Sequence, residues 1–134
     1  MKRRRTLLVC TAVSFAAIDL VHKSFAPAEF HHERTQFVAL IMAALIVALV
    51  ILVPRVPSNA AAIGAGIACG GALGNFISLL AWSQGVPDPL VVSGTQHGVA
   101  FNLADLFAIT GDALLLSAVV LHGIRHRARL RESV

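Results

Sequence analysis

Val99-Ala100-Phe101-Asn102-Leu103-Ala104-Asp105 opens an apolar run that continues to about His122. At about 24 residues the run is long enough to cross a hydrocarbon layer as one helix with some tilt. A carboxylate inside such a run costs roughly 3 kcal/mol on insertion scales, so it faces protein or water rather than lipid. Asn102 and Asp105 lie three residues apart and are expected to share one helix face. Two polar side chains aimed together into a membrane bundle mark the candidate site. The plainer alternative is that Asp105 only pairs with a neighbouring helix.

The rest of the chain agrees with a membrane setting. Of 134 residues, 57% are hydrophobic, 13% are charged and none is tyrosine, which fits a membrane protein rather than a soluble domain. The length allows one domain. A net charge of +4 would suggest nucleic acid if the basic residues formed a surface stripe. Instead they flank apolar spans, at Lys2 to Arg5 and Arg125 to Arg131, so no nucleic-acid partner is expected. Hydropathy places four spans at about 6–25, 37–53, 60–82 and 99–122. The expected architecture is an all-α membrane protein: one transmembrane domain forming a four-helix bundle, with no sizeable periplasmic β-domain. Lys2, Arg3, Arg4, Arg5, Arg55, Arg125, Arg127, Arg129 and Arg131 fall on one side and Arg34 on the other, which predicts both termini in the cytoplasm. The basic opening followed by Thr6 to Ala17 imitates a signal peptide, but the later spans and the polar cluster Asp19 to Lys23 favour a retained helix. Cys10 and Cys69 sit in apolar segments outside any CxxC or Cys/His spacing and read as buried thiols.

The loops are short. His31, His32 and Glu33 in the first outside connection read as exposed polar residues, and no metal or other cofactor is expected. Ser58 or Asn59 is a plausible N-cap for the third helix. The second outside loop, Ser83 to Gly98, carries Asp88 and His97 and is long enough to fold back over the outer mouth of the bundle. Within the third span, Gly66/Gly70 and Gly70/Gly74 are small-xxx-small pairs that allow close helix approach. Depth then gathers the polar residues. The third helix runs outward and the fourth inward, so Ser78, Asn75, Asn102 and Asp105 all fall within about 10 Å of the outer surface. Asp19 and Lys23, an i,i+4 acid–base pair, lie at the same level. A small polar chamber lined by Asp19, Lys23, Asn75, Ser78, Asn102 and Asp105 is expected, with Asp112 as a second buried acid two turns below Asp105.

Gly70-Gly-Ala-Leu-Gly-Asn75 and Phe101-Asn-Leu-Ala-Asp105 resemble the GGALGN and FNxAD segments of signal peptidase II, the lipoprotein signal peptidase of bacterial inner membranes. Gly111 matches a family glycine, and Asp19 to Lys23 resembles its D-x-x-[S/T]-K stretch with His22 at the hydroxyl position. The resemblance implies an aspartic endopeptidase with a dyad of carboxylates, acting on lipid-modified prolipoproteins in contact with membrane lipid. On this alignment Asp105 is the surviving dyad position, and Ser78 and Leu79 stand where the family has the Asp and Arg of GNxxDR. Asp88, between Pro87 and Pro89, reads as a family remnant that could fold in as a replacement acid.

An aspartic protease needs one ionised carboxylate to activate water and one protonated carboxyl to polarise the carbonyl. A serine cannot supply that charge. The leading expectation is therefore a non-proteolytic or impaired homologue that binds a lipid-modified or transmembrane segment or serves as a subunit of a membrane complex. The alternatives are an active peptidase rebuilt from Asp105 plus Asp88 or Ser78, a serine–lysine route through Ser78 and Lys23, and a small proton-coupled transporter using Asp105 or Asp112.

Overall fold

The computed structural model describes residues 1–33, 35–92 and 98–132, with side chains to residue 128. Arg34, His97 and the side chains of Arg129 and Arg131 lie outside the described residues. Four long helices carry the chain: α1 (Lys2–Phe25), α2 (Gln36–Leu52), α3 (Asn59–Ala81) and α4 (Leu103–Glu132). Each is long and apolar enough to cross a membrane. Thr35 caps α2 by accepting from the Val38 N–H at 3.4 Å, and Ser58 caps α3 by accepting from Ala61 at 3.2 Å. Between them a 3₁₀ turn at Val53–Arg55 carries Pro54, whose carbonyl accepts from Arg4 Nε at 3.1 Å and ties the start of α1 to this end of the bundle.

α3 is the axis, and its glycines explain why. A Cβ at Gly66 would lie 2.6 Å from Thr11 Cβ, and one at Gly70 would lie 2.6 Å from Phe15 Cβ, so one side of α3 is seated against α1. Its other side packs against α4: Gly71 meets the Ala104 carbonyl, and Gly64 approaches Gly111 and Leu115. Helices pack this closely only where a side chain is missing, which in lipid replaces the hydrophobic drive with dispersion contacts. The core between α1, α3 and the 3₁₀ turn is correspondingly fine-grained, with Leu8, Ala12, Val53, Ala61, Ala62, Ala65 and Cys69 buried. α2 stands apart: Met42 is its one buried residue.

Three features of the fold depart from expectation. α4 begins at Leu103 and not near Val99. Val99–Phe101 instead forms β4, antiparallel to β3 (Leu90–Val92), while β1 (Phe30–His32) pairs with β2 (Val86–Asp88) in the register Phe30↔Asp88 and His32↔Val86. The connections at this end of the bundle thus contribute two short ribbons. Gly85 makes the turn into β2 with φ +98° and packs against the His32 carbonyl, where a Cβ would approach to 2.6 Å. The second departure is Asp112. It is exposed on the outer surface of α4, not a buried acid, because Gly111 beside it takes the place against α3. Cys10 is also exposed, whereas Cys69 is buried.

Candidate active site

The ends of α1 and α3 and the start of α4 meet in one polar layer. On α1, Asp19 and Lys23 are fully or almost fully buried and paired at 2.7 Å. The i,i+4 spacing places the acid one turn before the base, and Gly74 of α3 leaves the room: a Cβ there would lie 2.5 Å from Asp19 Oδ2. Asp19 uses its other oxygen to accept from the Ala104 N–H at 2.8 Å, so it also caps the start of α4. Lys23 donates to Asp19, to Asn75 Oδ1 at 2.8 Å and to Ser78 Oγ at 3.2 Å, which uses its three N–H bonds. The Ser78 hydroxyl in turn donates to the Gly74 carbonyl at 2.7 Å.

Asp105 occupies the next position. Its Oδ1 accepts from Asn75 Nδ2 at 2.9 Å, and its Oδ2 accepts from the Asn102 backbone N–H at 3.3 Å. Asn102 Oδ1 accepts from the Asp105 N–H at 3.1 Å. This is a reciprocal capping box, with Asn102 at the N-cap and Asp105 at the third helical position. The two residues therefore do not share a helix face. Asn102 precedes the helix and turns its amide the other way, where Nδ2 donates to Asp88 Oδ1 at 2.5 Å and to the Pro87 carbonyl at 3.4 Å.

Asp88 is thereby drawn into the layer. It is buried at the end of β2, and its second oxygen is bonded to His32 Nδ1 on β1. One connected set of side chains runs from the exposed His32 through Asp88, Asn102, Asp105 and Asn75 to the buried Lys23–Asp19 pair. Asn102 is the joint: it holds one carboxylate through its side chain and the other through its backbone. The expected chamber residues Asp19, Lys23, Asn75, Ser78, Asn102 and Asp105 are all in this layer. His32 is the addition that sequence reasoning missed. Its contact is made by a ladder between segments more than 50 positions apart, and no local pattern announces it.

Beside the layer, Ala17, Ile18, Val21, His22 and Phe25 of α1 and Leu103 of α4 line an apolar groove of about 730 Å³. His22 Nδ1 is buried on its wall with no hydrogen-bond partner among the described residues.

A protein-family model described as "Signal peptidase (SPase) II" matches residues 5–121. No curated protein and no solved structure matches the chain.

Proposed function

The chain belongs to the signal peptidase II family, and on that basis we propose that it is a membrane aspartic endopeptidase whose two catalytic carboxylates are Asp88 and Asp105. The observation that carries this is Asn102, which bonds both acids at once and so ties the buried Asp88 carboxyl and the half-buried Asp105 carboxyl to one residue. The aspartic mechanism proposed here calls for one ionised and one protonated carboxyl. One then removes a proton from water as its oxygen attacks the scissile carbonyl carbon, and the other donates its proton to the carbonyl oxygen. When the C–N bond breaks, the first returns its proton to the nitrogen and the second recovers one from the hydroxyl, which leaves an acid, an amine and the starting dyad.

The other polar residues fit supporting roles. Asn75 and Asn102 hold Asp105, while Lys23 and Asp19 neutralise each other and fix the α1–α3–α4 junction. Ser78 belongs to the Lys23 shell. A serine–lysine nucleophile is disfavoured by the direction of its bonds: Lys23 donates to Ser78, and the serine proton goes to Gly74. The apolar groove against α1 suits a lipid-modified or transmembrane segment, and the substrate class we propose is a lipid-modified prolipoprotein in a bacterial inner membrane. With both termini cytoplasmic, the site would lie at the outer face.

A second reading, a non-proteolytic homologue that only binds such segments, is favoured by Ser78 standing where the family's GNxxDR carries its aspartate. Cleavage of a diacylglyceryl-modified prolipoprotein by the reconstituted protein separates the two. Cleavage lost in both Asp88→Asn and Asp105→Asn supports the dyad. No cleavage by the native chain, with cleavage appearing in Ser78→Asp, would establish the non-proteolytic reading. The transporter reading predicts proton flux abolished by Asp105→Asn, and nothing in the polar layer favours it.

A further inference from the structure

We propose that His32 is a positioning residue for the reaction: its imidazole locks the Asp88 carboxylate in the plane from which it meets water. The inference rests on the dyad reading above and assigns a role to a side chain from outside the helices.

The geometry of the ribbon is built around this contact. The register of β1 against β2 sets Phe30 opposite Asp88 and His32 opposite Val86. Two residues apart on one strand, Phe30 and His32 project to the same face, and the His32 ring reaches diagonally to Asp88. Gly85 packs on the His32 carbonyl and holds that end of β1 in place. The exposures are unequal: the His32 side chain is 62% accessible, while that of Asp88 is 1%. A buried core contact would hide both partners. Here an exposed imidazole reaches in to a buried acid.

The consequence for Asp88 is rotational. A carboxylate on two freely turning bonds spends part of its time misaligned, and a loss of alignment by tens of degrees is enough to slow proton transfer. Asn102 Nδ2 holds Oδ1, which fixes one point. His32 Nδ1 holds Oδ2 and fixes the second, so the carboxyl plane is set. Each oxygen keeps a further lone pair for water or a shared proton. Other ionisable groups near the acid act differently. Lys23 on α1 lies within electrostatic reach of Asp19, Asp105 and Asp88 together, with its N–H groups committed to Asp19, Asn75 and Ser78, so it biases the whole layer and orients no single acid. His31 and Glu33 flank His32 on the chain, and Glu33 lines a separate surface pocket with Leu79, Trp82 and Gly85.

The test is steady-state cleavage of diacylglyceryl-modified prolipoprotein by the full-length protein in bilayers, comparing wild type with His32→Ala and His32→Asn. Asn carries its amide nitrogen near the Nδ1 position and so can restore the donor. His32→Ala should lower kcat by about 10- to 100-fold, the usual cost of losing an outer partner that orients a reacting ligand, with KM little changed. His32→Asn should recover most of that loss. Because the side chain is exposed, imidazole added to His32→Ala should also restore rate, a response that a purely structural role would not give. The proposal is overturned if His32→Ala keeps the wild-type kcat, or if its loss responds neither to Asn nor to imidazole. The dyad reading fails separately: Asp88→Asn cleaving like wild type would remove both ideas, whereas an inactive Asp88→Asn beside an unaffected His32→Ala removes only the role of His32.

Discussion

Lys23 donates a hydrogen bond to Ser78 at 3.2 Å, and Ser78 passes its own hydrogen to the Gly74 carbonyl at 2.7 Å. On the proposed dyad these bonds leave the serine a structural part: its oxygen accepts from Lys23, and its proton goes to the carbonyl one turn back. Ser78→Ala should therefore cleave within an order of magnitude of wild type while losing about 1 kcal/mol of stability for the missing bond. Paired rate and unfolding measurements check this. A fall in rate of about 10²-fold or more, the scale of a lost proton-transfer group, would return Ser78 to the reacting centre.

Removing Lys23 should do far more damage. Lys23→Met leaves the Asp19 carboxylate buried and uncompensated, at a cost of about 3–5 kcal/mol. Lys23→Met with Asp19→Asn should be less destabilised than the sum of the two single changes, since neither charge is then stranded. Unfolding in detergent or bicelles gives the three values. Simple additivity would mean that the 2.7 Å pair carries no coupling.

The glycine surface of α3 makes a sharp contrast possible. Gly71→Ala drives a methyl into the Ala104 carbonyl and the Ala108 N–H of α4, and backbone cannot rotate away as a side chain can. It should cost about 1–3 kcal/mol. Gly123→Ala, with nothing within 4 Å of the added carbon, should be neutral or slightly stabilising through helix propensity. Equal effects at the two positions would contradict the close α3–α4 approach.

Asn102 joins the cap to the two acids, and two substitutions separate its duties. Asn102→Ala loses the helix cap, worth about 0.5–2 kcal/mol, together with the bond to Asp88. Asn102→Asp keeps the cap but sets a carboxylate against Asp88 in place of a donor. Stability should fall more in the second, because a buried carboxylate set against Asp88 costs more than a lost cap, and cleavage should collapse in both. An Asn102→Asp protein that is folded and fully active would sever the proposed link between the acids.

Much of this layer was legible from position along the helices. The opposite runs of α3 and α4 and the i,i+4 spacing of Asp19 and Lys23 put the polar residues at one level of the bundle. What stayed hidden depended on pairing across the chain. Val99 to Phe101 is as apolar as a helix start, and only partnership with Leu90–Val92 makes it a strand. The N-x-x-D spacing of Asn102 and Asp105 is also a capping-box spacing, and an apolar run through both residues masked that meaning. Asp112 was misjudged because three residues of periodicity cannot say which of two adjacent positions, Gly111 or Asp112, faces the neighbouring helix. The β1–β2 ladder, and with it His32, left no local trace.

The acids reach their site by different routes. Asp105 is carried by the first turn of α4, but Asp88 is carried by a ribbon that exists only where β1 and β2 pair outside the four long helices. On the proposed dyad, a chain whose β1–β2 ribbon is unpaired would hold one acid in place and have no second acid beside it. On that reading the strap between the long helices, and not the helices alone, would complete the reacting pair.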